Sequence, residues 1–182
     1  FAVAAVIPAS SSCSVLEEDH PFGKFSNNKF FTSEADVESS LKYAYIPINY
    51  IEYCGRGSLY IGDGASNVYY GYNKAVNSLL TEWQASPTND ELAMFYKYAY
   101  LSQLRVNNVL ENMDRVSMSA ETRNMFRGEA LFLRAFNHFQ LVITFGKIPL
   151  RLSAVTSMDG VYVDYSSIEE VYNCIIKDLK ER

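Results

Sequence analysis

The run Arg127-Gly128-Glu129-Ala130-Leu131-Phe132-Leu133-Arg134-Ala135-Phe136-Asn137-His138-Phe139-Gln140-Leu141-Val142-Ile143-Thr144-Phe145-Gly146-Lys147-Ile148-Pro149-Leu150 decides how this chain folds. It predicts most of one long helix with a defined start and a hard stop. Upstream, the Ser119 hydroxyl can accept from the free amides of a first turn, and Glu121 sits where the positive end of the helix dipole favours a carboxylate. Downstream, Gly146 can take the left-handed conformation that closes a helix, and Pro149 cannot rejoin one. The predicted span, about residue 120 to about 145, is roughly 39 Å at ~1.5 Å per residue.

Phe132, Phe136, Phe139 and Ile143 fall at helical spacing on one face, and Leu131, Ala135, Val142 and Phe145 cover much of another. A helix apolar over so much of its circumference is expected to be an interior rod wrapped by its neighbours. Gly128 costs about 1 kcal/mol against Ala inside a helix, so the expectation is that it admits the close approach of another helix or side chain. Arg127 and Arg134 are seven apart and share a face. Guanidinium groups among phenylalanines call for an ion pair or carbonyl contact with an adjacent helix; an anion site is the alternative.

Arg127-Gly128-Glu129-Ala130, Phe132-Leu133-Arg134-Ala135-Phe136, Phe139-Gln140-Leu141-Val142 and the exit Phe145-Gly146-Lys147-Ile148-Pro149-Leu150 together closely resemble the signature segment of the SusD/RagB family. The resemblance implies a mainly all-α, SusD-like helical fold with helix pairs like those of tetratricopeptide repeats, of which this chain would hold the N-terminal part. It also implies a surface lipoprotein of the outer membrane, binding an oligosaccharide or polysaccharide for import through a SusC-like TonB-dependent transporter. Arg127, Gly128, Glu129, Arg134, Gly146 and Pro149 are the structural residues of this motif.

At 182 residues, 48% of them hydrophobic, the chain can bury a sizeable core. A net charge of −5 supplies no basic face and argues against nucleic acid as a partner. Aromatic residues stand out, with 14 Tyr, 11 Phe and 1 Trp. Most must pack, yet exposed rings are also what stack on the apolar C–H face of a pyranose.

The chain begins with Phe, so the expectation is a piece cut from a longer reading frame. Residues 1–12 read as the tail of a secretory leader ending in small residues before Cys13, a pattern similar to a lipoprotein processing site. On that reading Cys13 carries the lipid and Glu17, Glu18 and Asp19 follow as an acidic export signal; an ordinary apolar N-terminus and a solvated acidic linker are the alternatives. Residues 13–31 read as a tether broken by Pro21 and Gly23, and residues 32–182 as the helical domain.

Ser33 with Asp36 forms a capping-box pattern for a helix bearing Val37, Leu41, Ala44 and Ile48, which Pro47 ends or kinks near Ile46. Residues 50–76 hold five glycines among six tyrosines and keep no helical period, so a long irregular Tyr/Gly-rich loop is expected. Its glycines lack the Gly-Lys-Ser/Thr or G-x-G-x-x-G context of a phosphate cradle. By resemblance, this region contributes to the family's sugar site. Tyr60, Asn67, Tyr69, Tyr70, Tyr72 and, further on, Trp83 are therefore the candidate ligand-binding residues, against a purely structural role for most of the tyrosines.

Thr88, Asn89 and Asp90 cap a helix running to about Met113, in which Asn107 is expected to make a buried side-chain hydrogen bond. This helix and the 120–145 helix are expected to pair as an antiparallel hairpin. Ser166 or Ser167 caps a last helix with Ile168, Val171, Tyr172, Ile175 and Leu179 on one face, a face whose partner is expected to be missing from this chain.

No catalytic residues, cofactor or metal ligands are assigned. His20 and His138 are isolated in sequence, and His138 reads as a core histidine. Cys54 and Cys174 are read as two unpaired, partly buried thiols, with a disulfide as the alternative. Glu17-Glu18 and Glu169-Glu170 are adjacent pairs, whereas glycoside hydrolysis needs two carboxylates facing each other across a bond. A protein-binding helical adaptor and, more distantly, a helical-toroid glycosidase are the competing functions.

Overall fold

The Ser119 hydroxyl accepts from the Thr122 amide at 3.0 Å, and from there the chain runs helical from Ala120 to Phe145. Gly146 ends it at φ 73°, ψ −111°, a conformation closed to residues with a Cβ without strain. In the computed structural model, which describes residues 30–66, 80, 84–154 and 162–181, this is α4. It is preceded by α1 (Glu34–Tyr45), α2 (Arg56–Ile61) and α3 (Asp90–Asn112) and followed by α5 (Ile168–Lys180). A two-residue antiparallel ladder pairs β1 (Ile148–Pro149) with β2 (Tyr165–Ser166), Ile148 opposite Ser166.

Each longer helix starts on a side chain that the sequence supplies. Ser33 and Asp36 form the reciprocal capping box of α1, Asn89 Oδ1 accepts from the Glu91 and Leu92 amides at α3, and Ser167 with Glu170 repeats the box at α5. Pro47 ends α1 in a 3₁₀ turn, Ile46–Asn49.

The pairing of the helices follows from matched residues. Phe95 stacks near Phe145, Gln103 meets His138, and Arg123 donates to the Met113 carbonyl, so α3 and α4 run antiparallel. Phe139 with Tyr172 and Arg134 with Asp178 give the same sense for α4 and α5. The partner expected to be missing for the α5 face is therefore present in part: Val171 and Ile175 are buried in one core with Ala135, Leu141 and Val142 of α4, while Ile168 and Leu179 stay exposed. The core gathers Tyr53, Phe95, Ala99, Ala135, Leu141, Ile148 and Val171.

Polar groups inside this core are chained. Tyr53 Oη donates to Asn137 Oδ1, Asn137 Nδ2 to Ser102 Oγ, and Ser102 Oγ to the Ala44 carbonyl, each at 2.8 Å. One thread thus ties four segments, and deleting any link leaves a buried group unpaired at a cost of about 1–3 kcal/mol. A second set fastens the exit of α4 to α3. Tyr100 Oη donates to the Pro149 carbonyl, Gln103 and Asn107 amides to the Arg151 carbonyl, and the Ala154 amide donates to Glu111. Asn107 therefore makes the buried side-chain bond expected of it.

Two further expectations are corrected. The stretch from Ile51 to Ile61 is not an irregular loop: a single π-helical turn, Ile51–Gly55, leads into α2, and Gly64–Ser66 adds a 3₁₀ turn. Tertiary packing overrides the weak propensity, because Tyr53 is buried edge-on to Phe95 at 4.9 Å and Gly57 fits where a Cβ would stand 2.1 Å from the Glu52 carbonyl oxygen. The second concerns α4. Its Leu131, Ala135 and Val142 face is buried, but Phe132, Phe139 and Ile143 are 55%, 41% and 53% exposed, so it is wrapped on one side only.

Phe31–Arg182 cluster as one unit and Phe1–Phe30 as another. Among the described residues, no helix is long and apolar enough to cross a membrane.

Candidate functional site

Of the residues predicted to touch a ligand, Tyr60 lies half-buried near the end of α2. Asn67, Tyr69, Tyr70, Tyr72 and Trp83, with Cys13 and the rest of the 13–29 stretch, lie outside the described residues. The motif residues are all described, and two of them, Gly128 and Glu129, line an open cleft.

That cleft, about 520 Å³, lies between α4 and the end of α5. Asn124, Gly128, Glu129 and Phe132 line it from α4, and Asp178 and Glu181 from the other side. With Met125, these α4 residues stand three or four positions apart along the helix, which is why they share one wall. Gly128 was expected to admit a close neighbour, yet a Cβ there meets nothing within 4 Å. The glycine opens the cleft and does not seat a helix.

The two motif arginines bind the far side, as their shared face predicted. Arg134 grips Asp178 with Nε and a terminal nitrogen, both at 2.7 Å, its side chain 14% and the carboxylate 1% exposed. Burial alone would lower the Arg134 pKa, but the hydrogen bond and charge of Asp178 more than offset it and the net shift is upward. Arg127 reaches Glu181 at 3.4 Å and Asp114 at 3.5 Å, and these groups are a third or more exposed. Glu129, on the cleft wall, also acts on Tyr45: burial first, then the Glu129 charge and hydrogen bond, push that hydroxyl up to about 12.

Beneath the cleft lies a group that sequence spacing hid. His138 and Cys174 are 36 positions apart, but the α4–α5 packing brings a His138 ring nitrogen, the Cys174 sulfur and an Asp178 oxygen within 4.8 Å of one another. His138 is a core histidine, wholly buried, and burial with the nearby Arg134 charge pushes its pKa down to about 4. Cys54 and Cys174 are free, half-buried thiols, and burial raises both.

A protein family described as starch-binding and associating with the outer membrane, SusD-like, matches residues 22–182. The chain belongs to this SusD-like family. SusD-like protein P2 of Formosa agariphila is 28% identical over 92% of the chain, which covers 34% of that protein. A SusD superfamily protein of Bacteroides vulgatus is 25% identical, with a TM-score of 0.74 over 84% of this chain and 34% of its own. Another, from Bacteroides fragilis at 22% identity, shares the fold, with a TM-score of 0.71 over 83% of this chain and 39% of its own. The chain thus spans about a third of the length of the relatives it matches.

Proposed function

We propose that this chain is the N-terminal helical part of a non-catalytic, glycan-capturing surface lipoprotein. It would hold oligosaccharides for import through a SusC-like TonB-dependent transporter. Residues 1–12 would be the leader remnant, Cys13 the lipid-bearing residue, 13–31 the tether and 32–182 the helical domain. The observation that carries the reading is the family match across residues 22–182, a family described as starch-binding and associating with the outer membrane.

The chemistry of capture would be ring stacking by Tyr60, Tyr69, Tyr70, Tyr72 and Trp83, with Asn67 holding a hydroxyl. Among the described residues, two of the three cleft carboxylates, Asp178 and Glu181, are each engaged by an arginine, an arrangement that supports binding without hydrolysis.

Calorimetric titration with a panel of oligosaccharides, alongside an assay for released reducing ends, tests the proposal. Saturable heat with at least one glycan and no release is expected, with Tyr60→Ala and Trp83→Ala weakening binding roughly threefold to tenfold. No heat with any glycan rejects capture, and release of reducing ends makes the protein an enzyme.

One observation favours a second reading for the α4–α5 side. Phe132, Phe139 and Ile143 on α4, with Tyr172, Ile176 and Leu179 on α5, expose an apolar strip that suits a protein surface better than a sugar. A helical adaptor without sugar binding would use that strip, and Phe132→Ala would then abolish partner association while leaving every glycan titration flat.

A further inference from the structure

His138, Cys174 and Asp178 meet where α4 crosses α5, with one donor atom from each within 4.8 Å of the others. Cys174 and Asp178 are one helical turn apart and project from the same face of α5. On the opposite helix, His138 Nε2 lies 3.2 Å from Gln103 Nε2. Its other nitrogen, Nδ1, is buried and has no hydrogen-bond partner among the described residues. A wholly buried imidazole with one nitrogen unused is what a metal ligand looks like before the ion arrives.

The third ligand is already oriented. Arg134 holds both Asp178 oxygens at 2.7 Å, and each oxygen keeps a second lone pair. Ligating carboxylates are commonly fixed by such an outer partner.

We propose that His138, Cys174 and Asp178 form a tetrahedral site for a divalent ion of the zinc class, with water in the fourth position. Imidazole, thiolate and carboxylate together suit zinc and disfavour calcium or magnesium, which take oxygen ligands. Ligand atoms around zinc stand about 3.5 Å apart, so the three groups close by about 1 Å through side-chain rotation. Asp178 lines the cleft, which gives the ion its way in. Binding releases the Cys174 thiol proton to water. Ligation through Nδ1 leaves the ring proton on Nε2, and Gln103 then turns its amide to accept it through Oε1, an atom that also lacks a partner among the described residues. The Arg151 carbonyl keeps its donor from Asn107. The ion staples the motif helix to α5.

Titration of the 182-residue chain with cobalt(II) as the spectroscopic probe tests this. A thiolate-to-cobalt charge-transfer band is expected, saturating at one equivalent and erased by equimolar zinc. Cys174→Ser and His138→Gln lose the band, while Cys54→Ser and Cys13→Ser keep it. X-ray absorption on the zinc-loaded wild type needs no variant to fold, and one sulfur at about 2.3 Å with nitrogen and oxygen neighbours is expected. No band at stoichiometric cobalt, a band that survives Cys174→Ser, or a zinc shell without sulfur overturns the site.

Discussion

Gly57 and Gly128 look alike in sequence and are opposites in the fold. A Cβ on Gly57 would stand 2.1 Å from the Glu52 carbonyl oxygen, a backbone atom that cannot swing away, whereas one on Gly128 meets open space. Thermal melts should therefore show Gly57→Ala losing about 2–3 kcal/mol and Gly128→Ala gaining about 1 kcal/mol from helix propensity. The motif arginines divide in the same way. Asp178 is buried and Arg134 largely so, and Asp178→Asn leaves a guanidinium charge without its counter-ion, which should cost about 3–5 kcal/mol by denaturant unfolding. Arg127 pairs with exposed carboxylates, and Arg127→Ala should cost under about 1 kcal/mol. The sequence carried the pairing of both, because a charge among phenylalanines needs a partner. It did not carry their depth, which depends on where α5 lands.

At the scale of elements, the helix ends were the most legible feature. Ser33, Asn89, Ser119 and Ser167 accept from first-turn amides, and Gly146 closes α4, because a cap is a local interaction between neighbours in sequence. The π turn and α2 were illegible for the opposite reason: what holds Tyr53 is Phe95 and Asn137, residues 42 and 84 positions away. The exposed side of α4 escaped too, since periodicity reports which face is apolar and not what covers it. The α5 box makes an acid-sensitive prediction. Hydrogen bonds from the Ser167 amide and hydroxyl hold the Glu170 carboxyl below its ordinary 4.5, so its contribution is present above that pH and lost as pH falls through the folded-state value. The stability gap between wild type and Glu170→Ala should be widest near neutral pH and narrow below 4.5 in chemical denaturation. Ser167→Ala should cost about 1 kcal/mol at neutral pH.

For the whole molecule, the family and the mainly helical body were readable from the 127–150 segment alone, because that run joins charge, aromatic spacing and a glycine-proline exit. The candidate sugar residues were readable only as a cluster of tyrosines, and of them Tyr60 alone falls in the described part. The apolar strip on α4 and α5 has its own consequence. The chain should bind a hydrophobic dye such as ANS in its native state, and Phe132→Ser with Ile176→Ser should reduce that fluorescence while circular dichroism stays helical. Glycan capture has a built-in reporter, because Trp83 is the one tryptophan in the sequence and is itself one of the proposed stacking residues. Intrinsic fluorescence titrated with each oligosaccharide of the panel reads that contact directly. A saturable change in Trp83 emission, at the concentration where heat is released, is the predicted result; emission that stays flat through a saturating calorimetric titration, or through the whole panel, would contradict it.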